Sequence, residues 1–162
     1  MNGFDETDRK IMAMLQADGR TPYAELAKAV GLAVSSVNER VKKLQERGAI
    51  VGVHAQLSPE GVGLDLLAFV FVAWSDPETE PRFLKRVINE ASILECHHVT
   101  GSWNYLVKVR VKNTRMLEAF LAKVIKSVEG VLRTESFITL SSPKETSALA
   151  TEIPDWFRNG HS

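Results

Sequence analysis

Along the first fifty residues the apolar positions recur at helical spacing in three short runs. Ile11, Met14 and Leu15 follow an acidic start of Asp5, Glu6 and Asp8, which predicts a helix over 5–17 whose positive N-terminal end those carboxylates favour. Asp18 and Gly19 end it. Thr21 and Pro22 then open a shorter helix, with Pro22 at the first helical position, where a missing N–H costs nothing, and Leu26, Ala27 and Val30 on the inner face. Gly31 supplies a turn. Val37, Val41 and Leu44 lie on one stripe of a third helix over roughly 34–47, closed by Gly48. Ile50, Val51 and Val53 break the helical spacing, so 49–57 predicts a short strand or wing before the turn at Ser58, Pro59 and Glu60.

The pattern then changes. Leu64 to Trp74 is almost wholly apolar, the mark of a strand with both faces covered. Beyond it the chain predicts a helix near 80–90 (Phe83, Leu84, Val87, Ile88), strands near 93–100 and 104–111, a helix over 114–128 and a strand over 131–140. The order βαββαβ is the ferredoxin-like arrangement. Two helices cover only one face of such a sheet, so the apolar first strand implies a second copy of the chain against the other face. The fold class is therefore α+β: a winged helix-turn-helix over 1–49, a hinge strand and linker over 50–62, a ferredoxin-like domain over 63–141 and a tail over 142–162. The tail carries Ser, Thr, Pro143 and Pro154, but Ile153, Trp156 and Phe157 predict that it docks on something apolar.

Charge alters this picture only locally. The 162-residue chain has 20 Lys and Arg against 20 Asp and Glu, so overall basicity argues for no nucleic-acid partner. Between Lys28 and Arg47, however, the cations Lys28, Arg40, Lys42, Lys43 and Arg47 stand against Glu39 and Glu46, a local excess of three. That stretch coincides with the second and third helices and their central glycine, which have the lengths of a helix-turn-helix whose second helix enters the major groove. Ser35, Ser36 and Asn38, short donors and acceptors at its N-terminal end, are placed for base edges. Arg40, Lys42 and Lys43 lie further along, towards phosphates, although Arg40 is equally placed to pair with an acid of the first helix.

Two segments extend the reading. GLAVSSVNERVKKLQERGAIVGVHAQLSPEGVGLD and ILECHHVTGSWNYLVKVRV resemble the recognition helix with its hinge, and the signature turn of the effector domain, in the Lrp/AsnC (feast/famine) family of transcriptional regulators. The resemblance runs over nearly the whole chain. It implies a DNA-binding regulator that forms homodimers through its sheet, often assembling to octamers, with an amino acid or derivative bound between dimers. The site it implies comprises Thr100, Gly101, Ser102, Trp103, Asn104 and Tyr105, with His98 beside them and Ser136, Ile138 and Thr139 on a facing strand. A glycine turn suits that role, because backbone N–H groups there can approach a carboxylate closely. Asn104 stands where the family commonly has Asp, which removes an anionic partner for an effector ammonium. Ala33 stands where the family commonly has a capping Ser.

Other chemistries are less well served. Cys96 is the only cysteine, which excludes an intramolecular disulfide, and of Cys96, His97 and His98 only the first and third share a strand face, too few for structural zinc. His54 and His161 have no supporting cluster. No phosphate-cradling loop, nucleophile elbow or metal-binding histidine pair occurs, so neither catalysis nor a cofactor is expected. One enzymatic alternative shares the architecture, a sirohaem-decarboxylase-like activity, and a second DNA-binding alternative is a nucleoid-architectural protein with little sequence preference. With no apolar run of about eighteen residues and an acidic N-terminus, the expected location is the cytoplasm, without a membrane partner.

Overall fold

A computed structural model describes residues 3–152. The chain divides into two compact units, one running to Gln56 and including the segment from Glu145, the other spanning Leu57–Lys144.

The first unit is three helices, α1 (Glu6–Ala17), α2 (Tyr23–Val30) and α3 (Val34–Glu46). Each contributes to one small core of Ile11, Leu26, Ala27, Val37, Val41 and Leu44, six of the nine residues that the helical spacing selects, while Met14, Leu15 and Val30 are only partly buried against it. Asp5 caps α1, its side chain accepting the Asp8 N–H at 2.7 Å. The start of α2 differs from expectation. Pro22 is the cap and Tyr23 the first helical residue, while the Thr21 hydroxyl turns back to donate to the Asp18 carbonyl at 2.7 Å. Ala33 caps α3 with no side-chain bond, so nothing replaces the missing hydroxyl there.

The expected wing is the larger difference. Residues 51–57 form no strand, and Val51, Val53 and Leu57 are exposed. A strand exists only when a neighbour accepts its ladder of hydrogen bonds, and the regular elements among the unit's described residues are helices. The segment after Glu145 runs along α1: Gln16 accepts the Leu149 N–H at 2.8 Å and donates to its carbonyl at 2.7 Å, and Arg9 donates to the Thr151 carbonyl at 3.0 Å. Ile153, Trp156 and Phe157, on which the expected docking rested, lie outside the described residues.

The second unit has the predicted βαββαβ order: β1 (Leu66–Ala73), α4 (Thr79–Val87), β2 (Ile93–His98), β3 (Tyr105–Val111), α5 (Thr114–Phe120) and β4 (Arg133–Ile138). The helix expected to run to 128 widens into a π turn at Leu121–Ile125. The sheet order is β2-β3-β1-β4, with every neighbouring pair antiparallel. Ala68, Val70 and Val72 of β1 and Val107, Val109 and Val111 of β3 point to the helices and are almost completely buried with Phe83, Leu117 and Ile125. On the opposite face Phe69 and Phe71 are half-buried and Phe137 is exposed, so the apolar first strand does leave an uncovered apolar surface. Among the described residues no helix is long and apolar enough to cross a membrane.

Candidate functional site

Two places carry the candidate side chains. The first is α3. Val37, Val41 and Leu44 turn inwards, so the 3.6-residue repeat sends Ser35, Glu39 and Glu46 straight outwards, with Ser36 and Lys43 on one flank and Asn38 and Lys42 on the other. All of these are exposed. Arg40 is not presented with them. Its guanidinium donates to Asp5 at 2.8 Å and Asp8 at 2.7 Å, tying α3 to the start of α1. The Asp8 N–H and Arg40 hold the Asp5 carboxyl below its ordinary range, and the two aspartates raise the guanidinium in turn. The intramolecular pairing left open by the sequence is the one that forms.

The remaining charges are also partly matched. Lys43 Nζ lies 2.8 Å from Glu39, and Lys42 Nζ lies 3.8 Å from Glu46. Both of those acids already stand in the local excess of three, so it is the pairing of Arg40 with Asp5 and Asp8, outside the counted stretch, that lowers the field the helix presents. Sequence reasoning left Arg47 out of the site. It follows α3 directly, packs over the Phe4 ring at 4.3 Å, and lines a groove of about 310 Å³ with Ser36, Lys43 and Arg40. Its place one turn beyond Lys43 on the same flank was the available signal.

The second place is the turn between β2 and β3. Gly101 adopts φ of 108°, a conformation that side chains resist, and a Cβ there would meet nothing within 4 Å, so the backbone is open to an incoming group. Asn104 closes the turn: its N–H donates to the Val72 carbonyl at 2.9 Å and its side-chain oxygen accepts the Trp74 N–H at 2.8 Å. Trp103 and Tyr105 leave the turn on opposite faces of the sheet. Tyr105 is buried on the helix side, between His98 at 4.9 Å and Trp74 at 5.6 Å, and its hydroxyl donates to Glu80 at 2.6 Å. Burial, and then the Glu80 carboxylate, push that hydroxyl up to about 12. Trp103 lies on the uncovered face, 5.6 Å from Phe71, with the Arg133 guanidinium over its ring at 4.0 Å and donating to the Ser102 carbonyl at 3.3 Å. Thr100 and Ser102 are exposed.

Sequence reasoning missed Arg133 and Glu80. Topology contained a signal for the first: a strand antiparallel to β1 must start at the end where β1 finishes, beside the β2–β3 turn. The facing-strand residues are not brought to the turn within one chain. The Thr139 N–H donates to Leu67, five residues down β1 from the Val72 that holds Asn104, or about 17 Å of strand. Ser136 and Ile138 lie between those levels, opposite Val70 and Ala68, and are exposed.

Cys96 packs against the helix-side core, where burial pushes its thiol up. His97 pairs with Glu95 at 3.1 Å, and Lys108 followed by His97 holds that carboxyl below its ordinary range. Among the described residues no three His, Cys, Asp or Glu side chains come together as a metal site.

Comparison with known proteins assigns a domain to each part of the chain. Residues 4–45 match the AsnC-type helix-turn-helix domain and residues 67–149 match the Lrp/AsnC ligand-binding domain. The helix-turn-helix-type transcriptional regulator FL11 of Pyrococcus abyssi is 38% identical over 93% of this chain and 96% of its own. A transcriptional regulator from Neisseria meningitidis, solved in complex with L-methionine, is 31% identical with a TM-score of 0.86, covering 91% of this chain and 96% of that one. The feast or famine regulatory protein of M. tuberculosis, also solved with L-methionine, is 35% identical with a TM-score of 0.82, covering 90% and 97%. With both parts matched in order along one chain, this protein belongs to the Lrp/AsnC family and is a DNA-binding transcriptional regulator.

Proposed function

We propose that α3 enters the major groove, where Ser35, Ser36 and Asn38 read base edges while Lys42, Lys43 and Arg47 engage phosphates, and that a small metabolite bound at the Gly101 turn controls which DNA arrays are occupied. The observation that carries the first half is the one-sidedness of α3: every apolar side chain from Val37 to Leu44 is spent on the core, and the opposite side is exposed and polar. Arg40 belongs to the scaffold in this reading.

The second half rests on the open backbone at Gly101 and on the Arg133 guanidinium, which reaches the same turn at Ser102 and Trp103, groups that suit a carboxylate. Relatives solved with L-methionine favour an amino acid or derivative as the effector. Ser136, Ile138 and Thr139 contribute from a second copy of the chain. The apolar face around Phe69, Phe71 and Phe137 pairs the chain into a homodimer, dimers assemble towards octamers, and the protein acts in the cytoplasm on double-stranded DNA.

The test is fluorescence anisotropy of DNA from upstream of the protein's own gene against a scrambled fragment, across salt, with and without pooled amino acids. Discrimination of about 4–10 kcal/mol between the fragments is expected. Lys43→Ala lowers affinity for both and reduces the salt slope by about one. Equal affinity for both fragments would favour an architectural role. Gly101→Asp abolishes the effector response and leaves DNA affinity unchanged; a retained response moves the effector site elsewhere.

A further inference from the structure

The middle of the outward face of α3 is occupied by an acid. Glu39 lies one turn beyond Ser35, on the side opposite Val37, Val41 and Leu44, and its side chain is 67% exposed. An anion is the costliest side chain to push between two rows of phosphates, because both strands repel it and the groove strips part of its water. Lys43, 2.8 Å away, offsets that cost in the free protein, and once the lysine turns to a phosphate a base must return a donor in its place. In the major groove two base edges do, the N4 amino group of cytosine and the N6 amino group of adenine. Adenine sets the N7 acceptor beside its donor, where it repels a carboxylate, whereas cytosine sets a C5–H there.

We infer that Glu39 is a specificity-determining residue, accepting a hydrogen bond from the N4 amino group of one cytosine in each half-site. The inference rests on α3 being the groove-reading helix. Glu39 would then also reject other bases, since a pair offering no amino group at that position leaves an unpaired carboxylate in the groove. In the free protein Lys43 bonds to this carboxylate at 2.8 Å and holds it below its ordinary range, so it stays ionised at neutral pH. On DNA the lysine moves to the flanking phosphate and the cytosine amino group replaces it. Glu46, the other outward acid, sits two turns further from the reading end and has Lys42 beside it.

The experiment is selection of binding sites from a randomised duplex pool with the full-length protein, its Glu39→Gln and Glu39→Ala forms, and Ser36→Ala and Asn38→Ala in parallel. The wild-type motif is expected to contain one cytosine position that Glu39→Ala renders degenerate and Glu39→Gln turns towards adenine, whose N6 and N7 match an amide. Discrimination at that position should fall by about fivefold to a hundredfold with the other positions unchanged. An unchanged motif in both Glu39 variants overturns the inference, and if the salt slope also steepens by about one, Glu39 serves only to tether Lys43. If Ser36→Ala or Asn38→Ala alters the motif while the Glu39 variants do not, Glu39 alone is misassigned; if none of the four does, α3 is not the reading helix.

Discussion

Helix α3 and the β2–β3 turn are both polar surfaces built on an apolar support, but they are assembled at different ranges. On α3 the side chains that matter are three or four residues apart, and one repeat decides which face the core and which face outwards. At the turn, Trp103 meets Phe71, Arg133 and, through Asn104, the backbone of Trp74, groups brought together only by the register of four strands. A helix face is thus settled by local geometry, whereas a sheet end becomes a site only once distant segments pair correctly. The two should respond differently to damage.

The sharpest contrast is expected from Phe83→Ala. Phe83 is fully buried between Trp74 at 5.1 Å and Tyr105 at 5.3 Å, and the cavity should cost about 3–5 kcal/mol. Hydrogen exchange read by peptide should rise across residues 66–138 and stay unchanged over 6–46, which have their own core of Ile11, Leu26 and Val37. Faster exchange in both regions would mean that they share stability that their separate cores do not explain.

Gly130→Ala is next. Gly130 has φ of 97°, and a Cβ there would run into the side chain of Thr79, which is fully buried with its hydroxyl unpartnered. Both the strained backbone and the collision act against the variant, at about 2–3 kcal/mol together. Chemical denaturation should show the loss. If stability is unchanged, the loop before β4 yields more readily than the packing around Thr79 implies.

Arg40→Ala tests the other side of the comparison. It leaves Asp8, whose side chain is only 13% exposed, without its guanidinium, and should cost about 1–2 kcal/mol without altering any outward residue of α3. The folded Asp5 carboxyl is held below its ordinary value of 3.8, so it stabilises the fold above that pH, and this contribution is lost as pH falls through the lowered value. Part of that acid sensitivity should vanish in the variant. Not all of it should, because the bond from the Asp8 N–H, the larger cause, remains. An unchanged stability profile against pH would show that the ion pair adds nothing beyond the cap.

The same difference in range explains what the sequence made legible. The three helices of the first unit, with the positions that form its core, follow from spacing and β1 follows from its unbroken apolar run, because both signals are local. The charge arithmetic on α3 was misleading because the partners of Arg40 lie more than thirty positions earlier, on another helix. A strand was expected over 49–57 from its apolar residues, but strand formation depends on a neighbour that spacing does not reveal. Nothing near Arg133 or Glu80 in sequence marks either as a neighbour of the turn. The Thr21–Pro22 pair predicts the start of α2 one residue early for a smaller reason: the hydroxyl has a competing acceptor in the Asp18 carbonyl.

Asn104→Asp should have the smallest effect on the fold and the most informative one on function. The bond that closes the turn uses the carbonyl oxygen of the Asn104 side chain, and aspartate keeps an oxygen of the same size in the same place for the Trp74 N–H. Stability should therefore change by less than about 0.5 kcal/mol, whereas Asn104→Leu, which leaves that N–H without an acceptor, should cost about 1–2 kcal/mol. What aspartate adds is charge. A carboxylate at this turn supplies the anionic partner for an ammonium that Asn104 lacks, so the variant should strengthen the response to α-amino acids over the corresponding 2-oxo acids, read as the shift in DNA-binding midpoint with each ligand. Unchanged ligand preference together with unchanged stability would make Asn104 purely a turn-closing residue, and the sheet end would then be organised by packing even at the position where its chemistry is most exposed to change.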